Sequence, residues 1–249
     1  MTQPAHATTA IPPPPGFDSV AGVDDPWLST ASDLVATLSE AQGKAVTLVP
    51  TGDPDLDRDG GLAPGTLSAI VAAPGPAATI AMVAAAYHAA YHHALTTMVY
   101  PLRSTLPQIA RHLAAIHHGA EPTADSAARA AAELRDCPLY VTVGSPITVT
   151  RIHFDAVDPD MTAPNLIVVD AVDLLLPSGA ARDLKHLALE LNVAILCSTT
   201  VHGVAGKEVT ASDAGADVAA AADTIIALPS QTAPTGTTTG GGWQRTTTP

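Results

Sequence analysis

The chain has 249 residues, 47% of them apolar but only 3% aromatic, with 24 acidic against 11 basic side chains and a net charge of −13. That length suits one medium domain with tails, and its core must be built from Ala, Val, Leu and Ile. A nucleic-acid backbone is gripped by clustered Lys and Arg, so this charge balance speaks against a nucleic-acid partner.

Residues 1–26, with Pro12 to Pro15 in a row, read as a disordered Pro/Ala/Thr-rich tail without the basic and apolar regions of a signal peptide. Ser29 can cap a linker-like helix running to about Gln42, within a segment 27–43. The folded domain is then 44–229. Leu67–Val71 reads as a buried strand, 77–94 as a helix and Thr97–Tyr100 as a strand. Two helices follow at Leu106–His117 and Ala124–Asp136, then a strand at Leu139–Val143. A short helix fits Ile147–Val157, and Leu166–Asp170 is the clearest strand. Ala180–Leu191 is a helix, Val193–Cys197 a strand, and Thr224–Leu228 the last strand. From Ser230 the Thr/Gly/Pro-rich sequence reads as a disordered tail. Continuous apolar strands alternating with helices predict an α/β fold, a mostly parallel sheet covered on both faces. No apolar stretch reaches membrane-spanning length, since the run at 77–95 is broken by His88, His92 and His93. Cys137 and Cys197 lie far apart in apolar contexts, as free thiols in a reducing compartment do, so a cytoplasmic location is expected.

The segment from Ala72 to Thr79 lies between a strand and a helix, where a P-loop NTPase carries Gly-Lys-Ser/Thr. Here the Gly and Lys positions are Ala77 and Ala78, and only Thr79 remains. Phosphates are wrapped by consecutive backbone N–H groups and a Lys. Pro76 removes one donor, Ala77 adds a Cβ where close approach is needed, and Ala78 supplies no charge.

The order of motifs resembles the RecA-like C-terminal domain of DnaB-type replicative helicases. The resemblance rests on Thr51-Gly52 and Leu56-Asp57, then Gly60-Gly61-Leu62 and Pro64-Gly65. It continues through Pro138–Val141, Leu166–Asp170 as a Walker B strand, Leu184–Val193, Ser212-Asp213 and Ala222–Ile226, covering about 45–228. It implies a P-loop NTPase fold, and a nucleotide site that Gly75, Thr79 and Asp170 would mark in vestigial form. The family's Glu that polarises the attacking water falls at Arg103, and a cation cannot serve as that base. Asp170 sits where Walker B holds Mg2+ through water, and serves equally well to cap a turn; Asp173 could add a carboxylate. The family's basic DNA loop corresponds to the short, uncharged 176–180. The strand end 198–202 lacks the family's Gln. The family's final strand, whose Lys and Arg reach a neighbour's ATP, has no counterpart in the Thr/Gly tail after Leu228.

His88 and His92, at i, i+4, invite a metal reading, with His93 beside them. No Glu lies between them as in a zinc protease, and a solvent-facing helix surface accounts for them more simply. The expectation is therefore a RecA-like pseudo-ATPase without cofactor or catalytic residues, acting as an interaction or regulatory module linked to DNA replication or repair. Its partner would be a protein: a second copy of the chain, or another RecA-fold protein. The alternatives are a weak ATPase or helicase holding ATP and Mg2+ at Gly75, Thr79 and Asp170, or a nucleic-acid binder without ATP chemistry.

Overall fold

The computed structural model describes residues 47–54, 56–144, 146–175, 179–201, 209–228 and 244–247. The N-terminal tail and the helix read at 29–42 lie outside these residues, as do 176–178 and most of the C-terminal tail. Among the described residues, seven strands form one sheet: β1 (Leu67–Ala72), β2 (Thr97–Pro101), β3 (Leu139–Val141), β4 (Leu166–Asp170), β5 (Ala194–Thr200), β6 (Thr224–Ala227) and β7 (Gln244–Thr247). Their spatial order is β3-β2-β4-β5-β1-β6-β7. The first six run parallel, and β7 pairs antiparallel with β6. This is the predicted doubly covered α/β sheet. The strand β7 is a correction: four residues inside the stretch read as disordered pair with the sheet edge, and a final strand exists where none was expected.

Six α-helices among the described residues connect or flank the strands: α1 (Ala77–Tyr87), α2 (Leu106–His118), α3 (Ala124–Glu133), α4 (Val149–Ala156), α5 (Ala180–Leu191) and α6 (Ala216–Ala221). The central strands β1, β2 and β4 are buried along their whole length, which is why they read as unbroken apolar runs rather than alternating ones. Successive residues still serve opposite faces. Leu67, Ala69 and Val71 join Ile152, Leu184, Leu187 and Val218, from α4, α5 and α6. Ile70 and Ala72 join Met82, Ala85 and Ala86 of α1 on the other side. Each fully buried Leu or Ile contributes about 1.5–3 kcal/mol relative to exposure, so these two layers dominate stability. Alanines on α1 let the helix axis approach the sheet closely, which suits a core with few aromatic rings. α2 packs beside α1, and α3 beside α2.

Two of the turn motifs quoted above are fold devices. Asp57 accepts hydrogen bonds from the Thr51 N–H and hydroxyl at 2.8 Å, and from the Gly52 N–H at 2.8 Å. Gly61 has φ +106°, and a Cβ there would sit 2.2 Å from the Val49 carbonyl oxygen, across the short antiparallel bridge Val49–Leu62. At the start of β1, Lys185 Nζ donates to the Gly65 carbonyl at 2.9 Å and to Asp223 Oδ2 at 2.8 Å. Asp223 Oδ2 also accepts the Leu67 N–H at 2.8 Å, so one carboxylate joins α5, the entry to β6 and the start of β1.

Candidate functional site

The loop between β1 and α1 consists of Ala73, Pro74, Gly75 and Pro76, of which the last three are exposed. Gly75 has φ +143°, and a Cβ on it would meet nothing within 4 Å. The loop is thus open to solvent rather than collapsed on the sheet. Its two prolines supply no N–H, and Pro76 uses its carbonyl to accept the Ile80 N–H at 2.9 Å as the first turn of α1.

Below the loop, the structure brings Thr79 and Asp170 together. Thr79, in the first turn of α1, is buried and donates from Oγ1 to Asp170 Oδ2 at 2.8 Å. Asp170 ends β4 and is only 3% exposed. Its other oxygen, Oδ1, accepts the Ser198 hydroxyl at 2.8 Å, and Ser198 Oγ in turn accepts the Ala171 N–H at 2.8 Å. Ala171 takes the left-handed conformation at φ 65°, ψ 65°, an uncommon and strained setting for a residue with a Cβ. Both carboxylate oxygens are therefore held by neutral hydroxyls from the flanking α1 and β5. The turn amide goes to Ser198, so Asp170 does not cap its own turn. Of the three residues named from the sequence, Thr79 and Asp170 meet, while Gly75 lies on the exposed loop.

Arg103 closes the neighbouring position. The register Pro101–Asp170 and the Leu102 N–H to Asp170 carbonyl bond, 3.3 Å, carry β2 alongside β4 to its end. Arg103 then reaches across the strand ends. It donates to Asp173 Oδ2 at 3.2 Å and to the Thr200 hydroxyl at the end of β5. Both ionic groups are about one-third exposed, so the ion pair alone is worth no more than about 1 kcal/mol. Its significance is positional. Asp173, which could have joined Asp170 at a cation, is instead neutralised by a guanidinium spanning β2, the turn after β4, and β5.

Ser198 and Thr200 are partners of the site that sequence reasoning misses. The available signal is polarity: a buried Ser following the apolar run Ala194–Cys197 of a central strand must find a hydrogen-bond partner. Cys197, beside it, faces the opposite layer, where burial pushes its thiol up to about 12, far from a reactive thiolate. Cys137 is also a free thiol, half-buried, and burial raises it too.

A second polar chain lies on α1, α2 and α3. Tyr87 Oη and His117 Nδ1 are 2.9 Å apart, and His117 Nε2 meets Glu133 Oε2 at 2.5 Å. With Tyr91, His118 and Arg129 these residues line a cavity of about 600 Å³. Burial raises the Tyr87 hydroxyl above its usual value, followed by the influence of Tyr91, which is the reverse of what a phenolate nucleophile needs. This chain ties three helices together.

The histidines of the metal reading sit beyond α1, whose last turn continues as a π-helical turn over His88–His92. That turn adds a second neighbour. His88 still faces His92, ring centres 4.9 Å apart, and also meets His93, ring centres 5.0 Å apart and Nε2 to Nε2 at 3.2 Å. Among the described residues, no group of three or more His, Cys, Asp or Glu side chains could hold a metal ion. None of their helices is long and apolar enough to cross a membrane.

The sheet order and its two helical layers give a RecA-like α/β fold similar to that of solved DnaB-like helicase and ATPase domains. Solved structures with this fold include a DnaB-like replicative helicase described with its interactions with primase. It has a TM-score of 0.66 and 18% identity, over 80% of this chain and 57% of that one. Another, described as an ATPase domain, gives a TM-score of 0.65 and 19% identity, over 80% of this chain and 83% of that domain. The chain thus spans little more than half the length of the first of these. No family model and no curated protein sequence matches the chain.

Proposed function

We propose that the chain is a pseudo-ATPase: a DnaB-like scaffold that no longer hydrolyses ATP and acts as an interaction or regulatory module, in DNA replication or repair. The observation that carries this reading is Arg103. By the resemblance, Arg103 falls where the family's water-activating Glu would stand, and its guanidinium is bonded to Asp173 and Thr200. A permanently protonated group cannot take a proton from water. The loop adds to this, because two of its four residues lack an N–H and Ala78 carries no charge toward the phosphates. Fold needs only apolar packing, whereas catalysis needs particular side chains, so one survives without the other.

Exposed apolar side chains supply material for a protein interface. Phe154 and Val157 on and just after α4 are 65% and 47% exposed, and Leu189 on α5 is 60% exposed. The two helices are linked by the His153–Glu190 contact at 3.3 Å. Partners of this reading are a second copy of the chain or another RecA-fold protein in the cytoplasm.

The retained Thr79–Asp170 pair is the feature that a weak Mg-ATP site would use. Phosphate release from ATP, measured for the full chain beside Thr79→Val, separates the two. No turnover above buffer is expected for either protein. Turnover that the full chain supports and Thr79→Val abolishes would overturn the pseudo-ATPase reading.

A further inference from the structure

The π-helical turn at the end of α1 builds a feature that an ordinary helix would not. In an α-helix, residues four apart share a face, which would pair His88 with His92. An i→i+5 turn brings residues five apart together, and such turns recur at functional sites. Here it sets His88 Nε2 and His93 Nε2 3.2 Å apart. Two nitrogens bound to one tetrahedral zinc at about 2.0–2.1 Å lie about 3.3 Å from one another, so the pair has the bite of a chelate.

The pair is also held in place. His88 is half-buried, and its ring lies on the bare backbone of Gly52: a Cβ there would come within 2.6 Å of His88 Nδ1. Gly52 is itself fixed by its N–H bond to Asp57 Oδ2. His93 is exposed, so the open side of the pair faces solvent. Ala94, next in sequence, has φ 52° and turns the chain sharply away.

We infer that His88 and His93 form a two-imidazole chelating site for a borderline divalent transition metal such as Zn2+. The ion would displace the proton shared between the two Nε2 atoms, which moves to Nδ1 of the donor ring, so each ring stays neutral. Imidazole nitrogen selects Zn2+, Cu2+ or Ni2+ over Mg2+ and Ca2+, which prefer oxygen. Two protein ligands leave the other positions to water. The site is separate from the Thr79–Asp170 pair and does not depend on whether that pair binds nucleotide.

Calorimetric titration of the full chain with ZnCl2 tests this, beside His93→Ala and, as a control on the same turn, His92→Ala. Losing one of two linked ligands removes the chelate gain, so His93→Ala should weaken binding about a hundredfold. His92→Ala should leave it within about threefold, since the Nε2–Nε2 contact is made without His92, although its ring lies against that of His88. Both replaced side chains are exposed, and circular dichroism checks that the fold persists. In parallel, Zn2+ should shift the Nε2 resonances of His88 and His93 before those of the other histidines. No saturable binding, equal weakening by the two variants, or first shifts at other histidines would overturn the assignment.

Discussion

Replacing Ser198 by Ala tests whether Asp170 is now a structural group. Ser198 donates to Asp170 Oδ1 and accepts the Ala171 N–H, both at 2.8 Å, in a site where Ser198 is 2% exposed. The substitution leaves a carboxylate oxygen and a backbone N–H without their partners. Each such loss costs about 1–3 kcal/mol, so the variant should lose about 3 kcal/mol of folding stability. With a urea slope of about 2–3 kcal/mol/M, the unfolding midpoint should fall by about 1 M. Thr79→Val, nearly isosteric, removes one bond and should cost about 2 kcal/mol. The two hydroxyls share one carboxylate. Their effects should therefore fall short of additive by at least about 0.5 kcal/mol in the double variant. Urea unfolding followed by circular dichroism measures all three. A midpoint for Ser198→Ala within about 0.2 M of the parent would refute the buried hydroxyl–carboxylate arrangement.

Further outcomes follow from the same geometry. The hydrogen bond from His117 holds the Glu133 carboxyl below its ordinary 4.5, so its contribution is complete above pH 4.5 and fades as the pH falls through the depressed folded value. The melting temperature of Glu133→Gln should therefore be flatter than the parent's in that acid range, and parallel curves would contradict the bond. Gly61→Ala places a Cβ against the Val49 carbonyl at a positive φ, and should cost at least about 3 kcal/mol or prevent folding; a soluble variant with unchanged melting would show that the Val49–Leu62 bridge is absent.

Much of the fold is legible in the sequence because buried parallel strands declare themselves as apolar runs. Leu67, Leu166 and the helix Ala180–Leu191 fall where composition puts them. The exceptions have physical causes. Strand β7 lies in Thr- and Gly-rich sequence whose ordering comes from pairing with β6, a partner that local composition does not reveal. The π turn is invisible to a period of 3.6, so periodicity finds the His88–His92 neighbours but not the His88–His93 contact. At the site, Thr79 and Asp170 can be named from their places beside a loop and at a strand end. For Ser198 and Thr200 the sequence signals only polarity, because their partners arise from the register of β5 against β4 and from the reach of Arg103. Gly52, Asp57 and Gly61 carry much of the resemblance to helicases, yet in this structure they shape turns, a duty that needs no ATP.

If this scaffold has given up its nucleotide, titrating the full chain with Mg-ATP in a calorimeter shows it most directly. No saturable heat is expected at micromolar to millimolar ATP. Micromolar binding that disappears in Thr79→Val would contradict the loss and restore a working site beneath the Pro74–Pro76 loop.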